Sequence, residues 1–110
     1  MKKIIVLLFL SINCFAQTGK SNSVMIKAVE TYGSFASIER SLHIVNENGD
    51  LKTIELEKHN TTGIPKNMIT IKNVLDGYLN NNYVIISSTA LSFGWNGVFT
   101  VENTYILEKK

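Results

Sequence analysis

Few side chains in this 110-residue chain could do chemistry. His43 and His59 are its only histidines and Cys14 its only cysteine. A structural zinc site needs four nitrogen or sulfur ligands, so two histidines without cysteines fall short of one. His59 shares a loop with Glu57, and a metal held by both histidines and that carboxylate is conceivable; two unrelated, exposed imidazoles are the simpler account. Serines are numerous, among them Ser87, Ser88 and Ser92, yet none stands in the Gly-x-Ser-x-Gly turn that presents a nucleophile. Glu55 and Glu57 fall on one face of a strand, as paired acids for glycoside hydrolysis would, but a domain this small has little volume for a substrate cleft. Gly19-Lys20-Ser21 matches the end of a phosphate-binding loop, while the glycine that should stand five positions earlier is Cys14. Asn60-Thr61-Thr62 is formally a glycosylation sequon, a three-residue pattern too short to carry weight by itself. The expectation is a non-enzymatic protein with no cofactor. The rival is a small-ligand or metal-binding domain, or a weak enzyme, using His43 or His59.

Trp95 invites a different chemistry. It stands between Gly94 and Asn96-Gly97 at an expected hairpin tip, where an indole is costly to expose without a partner. It is either a contact residue for a protein or glycan, or a ring folded back over the sheet, and the second is preferred.

The start of the chain reads as an export signal. Met1-Lys2-Lys3 is basic, Ile4 to Leu10 is apolar without a break, and Cys14 and Ala16 are small residues at the positions that signal peptidase inspects. Cleavage between Ala16 and Gln17 is expected. The apolar run is too short for a membrane span, which takes about 20 residues. Cys14 admits an alternative, a lipidated N-terminus, but the bulky Asn13 before it suits that poorly. Without Lys2 and Lys3 the eleven basic residues become nine, equal to the nine acidic ones. A neutral domain with no basic cluster lacks the counterion-releasing surface of a nucleic-acid binder, and Lys109-Lys110 is too short for a membrane tether. The location implied is periplasmic or secreted, or anchored through a lipid on Cys14.

The elements that must position these residues follow from periodicity. Gln17 to Ser23 is polar and flexible. Val24 to Thr31 is a strand closed by Tyr32-Gly33-Ser34. Ile38 to Asn46 and Leu51 to Glu57 flank a hairpin loop, and the pattern chooses its form: a three-residue loop, Glu47-Asn48-Gly49 with Gly49 left-handed, pairs Leu42 with Ile54 and Arg40 with Leu56. Leu42, Ile44, Ile54 and Leu56 then share one side, and Arg40 falls awkwardly on that side as well. A helix opens at Ile64-Pro65 and carries Met68, Ile71, Val74, Leu75, Tyr78 and Leu79 on its inward stripe. Gly77 within it suggests close approach to the sheet, and Asn80-Asn81-Asn82 supplies a left-handed stop. Tyr83 to Ser92 and Val98 to Glu108 are the last strands, joined across Phe93 to Gly97. In the final strand Phe99, Val101, Tyr105 and Leu107 share one face.

The fold class is therefore α+β, a two-layer sandwich: an antiparallel sheet of about five strands in the order β-β-β-α-β-β, with one helix on one face. Residues 1–16 form the leader, 17–23 a flexible segment and 24–110 a single domain. One side of such a sheet stays open, showing Val45, Leu51, Val84, Ile86 and Ile106 among Thr53, Ser88, Thr100 and Thr104. With Trp95 these apolar residues are the candidate contacts for an unknown protein partner, whether a second copy or a larger exported protein, reached through the face or by strand addition at an edge.

Met68-Ile-Thr-Ile-Lys-Asn-Val-Leu-Asp-Gly-Tyr, then Tyr83-Val-Ile-Ile-Ser-Ser, then Thr104-Tyr-Ile-Leu-Glu-Lys-Lys resembles a class of small exported bacterial proteins of unassigned function. In that class a helix leads into a Gly-Tyr/Trp-x-Leu-Val-Ser strand and a C-terminal Thr-Tyr-x-x-x-Lys strand. The match runs from Met68 to Lys110 and departs from the pattern where asparagines precede Tyr83 in place of glycine. It implies the same fold and export, and brings no catalytic residues.

Overall fold

The computed structural model describes residues 22–33 and 39–110. The expected leader with its expected cleavage point at Ala16/Gln17, Cys14, most of the expected flexible segment, Ser34 and Ile38 lie outside the described residues. Six elements follow in chain order: β1 (Ser23–Gly33), β2 (Arg40–Val45), β3 (Leu51–Glu55), α1 (Gly63–Leu79), β4 (Tyr83–Trp95) and β5 (Val98–Lys109). The strands form one antiparallel sheet in the order β3-β2-β1-β5-β4, with the helix on one side. Ser23, expected to be flexible, already pairs with Glu108 in the sheet.

The β2–β3 loop has the expected form, and its cause is local. Asn46 Oδ1 accepts hydrogen bonds from the backbone N–H of Asn48 (2.9 Å) and Asp50 (3.1 Å), and the Gly49 N–H donates to the Asn46 carbonyl at 2.9 Å. Gly49 is left-handed at φ +89°, which glycine adopts without steric penalty. The loop fixes Leu42 opposite Ile54, and the Leu56 N–H donates to the Arg40 carbonyl at 2.9 Å. Arg40 stands opposite Glu30 of β1, half-buried at the margin of the core.

Cross-strand partners share a face, so the register sorts the side chains. Val24, Ile26 and Ala28 of β1, Leu42 and Ile44 of β2, Leu56, Tyr83 and Leu107 form the core with Ile71 of the helix. Val74, Leu75 and Tyr78 extend the helical contact. Met68 does not join them: it is 64% exposed, and Leu79 is exposed too. Asn67 takes the inward place one residue earlier and is 1% exposed. A polar side chain buried this completely must have partners, and Asn67 has three hydrogen bonds, described below.

The helix start is capped from Asn60, whose Oδ1 accepts from the N–H groups of Thr62 (3.2 Å) and Gly63 (2.8 Å). Its end is a reversal at Asn82, left-handed at φ +71°. Gly77 does not mark close approach to the sheet, since a Cβ there would meet nothing within 4 Å. Gly77→Ala is therefore expected to stabilise the protein by up to about 1 kcal/mol, a rise of roughly 4–8 °C in Tm, which a thermal melt reads directly.

β4 and β5 run further than expected. The connection is the two-residue turn Asn96-Gly97, with φ +53° and +80°, the left-handed pair that suits a tight hairpin. Phe93, Gly94 and Trp95, expected in a five-residue loop, belong to β4, and Trp95 pairs with Val98. The alternation of side chains through Phe93 and Trp95 continues the strand, and only the Asn-Gly pair breaks it. A bulge between Ile85 and Ser87 inserts one residue and shifts the register. Ser88 thus pairs with Tyr105 on the helix side rather than appearing on the open face.

Candidate functional site

The open face can be read as rows across the sheet. Leu51, Val45, Met25, Ile106 and Ser87 make the first, from β3 to β4. Thr53, His43, Lys27, Thr104 and Thr89 make the second, and Glu55, Ser41, Val29, Glu102 and Leu91 the third. Beyond these lie Thr31, Thr100 and Phe93, then Gly33, Val98 and Trp95.

The sequence-derived candidates therefore separate. Val45, Leu51 and Ile106 meet in one row, joined by Met25, which sequence reasoning did not single out. Val84 stands one row further out, opposite Glu108, and Ile86 sits at the bulge on the sheet edge. Trp95 lies four rows away along β5, about 27 Å by strand rise. A polar belt divides the two ends, in which Lys27 Nζ lies 3.5 Å from Glu102 Oε1.

At the far end Leu91, Phe93 and Trp95 alternate along β4 on the open face, all exposed, with Trp95 79% exposed. The indole is not folded back over the sheet, contrary to the preferred reading of the sequence. The spacing of Val84, Ile86 and Ser88 puts Leu91 on the helix side, and the bulge at Ile85/Ser87 brings it to the open face instead; Phe93 joins it because the strand runs past Ser92. On the opposite face the Phe99 ring lies over Gly94, where a Cβ would strike it. Tyr32 stacks on Phe99 with centroids 5.5 Å apart, and on His59 at 4.3 Å.

β4 is also an edge strand. From Tyr83 to Trp95 it carries no charged residue and no proline, the usual guards against edge pairing. The other edge, β3, is five residues long and bears Lys52 and Glu55.

The histidines do not meet. His43 projects from the open face, its Nε2 2.9 Å from Glu39 Oε2 and its Nδ1 3.1 Å from Thr53 Oγ1. In the tautomer that satisfies both, Nε2–H donates to the carboxylate and the threonine hydroxyl donates to Nδ1. His59 lies on the helix side, with Nδ1 2.8 Å from Oε1 of Glu30. A metal shared by both with Glu57 is thus not built, and among the described residues no three His, Cys, Asp or Glu side chains cluster to hold a cation.

Around His59 the structure shows a network that the sequence did not reveal. Glu30, 7% exposed, accepts from His59 Nδ1 and from Asn67 Nδ2 at 3.2 Å. Asn67 Nδ2 also donates to the Glu57 carbonyl (3.0 Å), and the Glu57 N–H donates to Asn67 Oδ1 (2.8 Å). One amide so ties β1, the loop after β3 and the helix together. Beside His59 is a shallow cleft of about 380 Å³ lined by Tyr32, Arg40, Lys58 and Asn60.

A second cleft, about 640 Å³, lies between the β2–β3 hairpin and the C-terminal half of the helix, with Ile44, Asn46, Val74, Tyr78 and Tyr83 in its wall. The Tyr83 hydroxyl donates to Glu47 and its ring packs edge-on against Tyr78 at 5.1 Å. That hydrogen bond, with burial, pushes the Tyr83 hydroxyl up to about 12, and it holds the Glu47 carboxyl below the ordinary carboxylate range. Burial, and then the Glu47 charge, raise Tyr78. Because the Tyr83 value is raised on folding, its stabilisation is complete below the unfolded tyrosine value of about 10 and is lost as pH climbs through about 12. The Glu47 contribution has the opposite sense: present above the ordinary carboxylate range, lost as pH falls through its lowered value. Tyr83→Phe is expected to flatten both limbs of a plot of Tm against pH and to remove the last tyrosinate absorbance step; an unchanged titration would contradict the pairing.

Among the described residues no helix is long and apolar enough to cross a membrane. Protein-family models, curated proteins and solved structures give no match to this chain, so what it does has to be read from its own surface.

Proposed function

We propose that this protein is a small exported, non-enzymatic interaction module that binds a protein partner through the open face and free edge of its sheet. The observation that carries the reading is the row Leu91, Phe93 and Trp95, held out on an uncharged edge strand. Burying a fully exposed side chain of this kind gains about 1.5–3 kcal/mol; Leu91 and Phe93, already half-buried, gain about half of that, and Trp95 most of it. The indole adds little to the packing of the fold itself, because most of its surface is in water. The leader in the sequence and the resemblance to small exported proteins support the location: periplasmic or secreted, or tethered through Cys14.

The test is capture from an envelope extract of the source cell, comparing the parent chain with the triple variant Leu91→Lys, Phe93→Lys, Trp95→Lys. The parent retains a partner, or a second copy, that the variant loses while keeping its circular dichroism; equal retention by both would reject the reading. Mass spectrometry of the exported chain is expected to give Gln17 as the first residue, and an acylated Cys14 would assign the tether instead.

One observation favours a second reading. A buried carboxylate that fixes an imidazole through Nδ1 orients its other nitrogen, as in metal ligands and bases, and His59 is so held beside a cleft. On this reading the protein is a small-ligand or metal binder. A zinc- or copper-dependent rise in Tm that disappears in His59→Ala would favour it; the interaction reading predicts no metal-dependent shift.

A further inference from the structure

We infer that the occupant of the β4 edge is a second copy of this chain, paired antiparallel about a two-fold axis at Leu91 so that two sheets become one of ten strands. The inference rests on the interaction reading and names the partner. It begins from the edge. Natural edges are blunted by lysine, proline, shortness or a bulge; β4 has thirteen residues, no charge and no proline, and its bulge at Ile85/Ser87 leaves Ser87 to Trp95 unguarded, whereas the opposite edge is short and charged. An uncharged strand is also its own complement. Pairing with a copy places no like charges across the junction, and a two-fold arrangement closes after two subunits instead of growing into a fibre.

The register follows from two interruptions. The bulge at Ile85/Ser87 ends regular pairing on one side and the Asn96-Gly97 turn ends it on the other, leaving Ser87 to Trp95 as the regular run. Full overlap of that run with its copy puts its midpoint, Leu91, on the axis. Phe93 then faces the copy's Thr89, and Trp95 the copy's Ser87. Antiparallel pairing over this run makes about nine backbone hydrogen bonds, the number a typical specific interface carries in all. Ser88, Ala90 and Ser92 point to the helix side, so the apolar residues of the join lie on one face only: the two Leu91 side chains meet on the axis, and each Phe93-Trp95 pair runs outward beside the copy's Thr89 and Ser87. Leu91 is half exposed and outside the core, which lets it be changed without unfolding the chain.

The experiment is sedimentation equilibrium across a wide concentration range on the parent, on Leu91→Lys, on Leu91→Glu and on their equimolar mixture. The parent is expected at twice the chain mass. Either charged variant brings like charges face to face on the axis and weakens self-association at least a hundredfold, and the mixture recovers a one-to-one dimer because the charges now complement. In a Cys14→Ser background, Leu91→Cys is expected to oxidise to a disulfide-linked dimer, whereas Thr53→Cys, on the far edge, forms no disulfide link between copies. A parent that is monomeric at every concentration overturns the inference, whereas loss of extract capture in the triple lysine variant would still uphold the interaction reading. A dimer that survives both Leu91 variants overturns the edge as its site. A monomer whose β4 amides resist hydrogen exchange at all dilutions overturns it too, by giving the edge to a segment of the same chain.

Discussion

Asn67→Leu is expected to lower the unfolding free energy by about 4 kcal/mol, the largest single effect outside the apolar core. Leucine keeps the branched shape but is bulkier and has no polar atoms, so lost hydrogen bonding and some overpacking act together. Glu30, buried against the helix, loses one of its two donors, and the Glu57 N–H and C=O both lose their partner. Each buried polar group left unpaired costs about 1–3 kcal/mol, more when it is charged. Asn67→Asp is expected to be worse, because it brings a second carboxylate against Glu30 where a donor stood. Glu30→Gln tests the assignment from the other side: an amide oxygen accepts the same bonds, and the double variant with Asn67→Leu should destabilise by much less than the sum of the singles. Urea unfolding gives all these values. A change under about 1 kcal/mol for Asn67→Leu would show that the network contributes little.

Gly63→Ala is expected to cost about 3 kcal/mol, opposite in sign to Gly77→Ala in the same helix. Alanine has the higher intrinsic helix propensity at both positions. Space decides the outcome. At Gly63 a Cβ would run into the backbone carbonyl of Lys58, with its carbon only 2.9 Å away, and backbone cannot swing aside as a side-chain tip can. The collision displaces the loop that carries His59 and Asn60, so the helix cap and the His59–Glu30 contact should weaken together. The checks are a thermal melt of each variant and the hydrogen-exchange rate of the Gly63 and Thr62 amides. Equal, small shifts in both variants would contradict the packing described here.

What the sequence allowed one to read, and what it hid, have physical causes. The β2–β3 loop was legible because alternation admits only one register that keeps Leu42, Ile44, Ile54 and Leu56 on one side. The α+β order and the helix bounds followed from a change of period at Ile64 and from the asparagines after Leu79. The bulge at Ile85/Ser87 was not legible, since a run of branched residues looks the same with or without an extra one, and it moved Ser88 to the other face. Asn67 was hidden because a buried asparagine looks like any polar residue on a helix until its partners, 10 and 37 residues away, are brought to it. Trp95 draws attention by its cost, yet its outward direction depends on where the turn falls, and the strand runs three residues past Ser92 before turning.

Trp95 is the only tryptophan in the chain, so its fluorescence reports on the proposed contact surface without any label. The account predicts a water-like emission spectrum and free quenching by acrylamide when the folded protein is alone, then a blue shift and protection from quenching once a captured partner covers the open face of β4; an edge-paired second copy, which sets only Ser87 beside the ring, leaves it largely exposed. A spectrum typical of a buried indole at every dilution would make the ring part of the fold, and one that stays water-like with extract added would leave the open face of β4 without a role. Either result contradicts the claim that the exposed row on β4 is where the protein works.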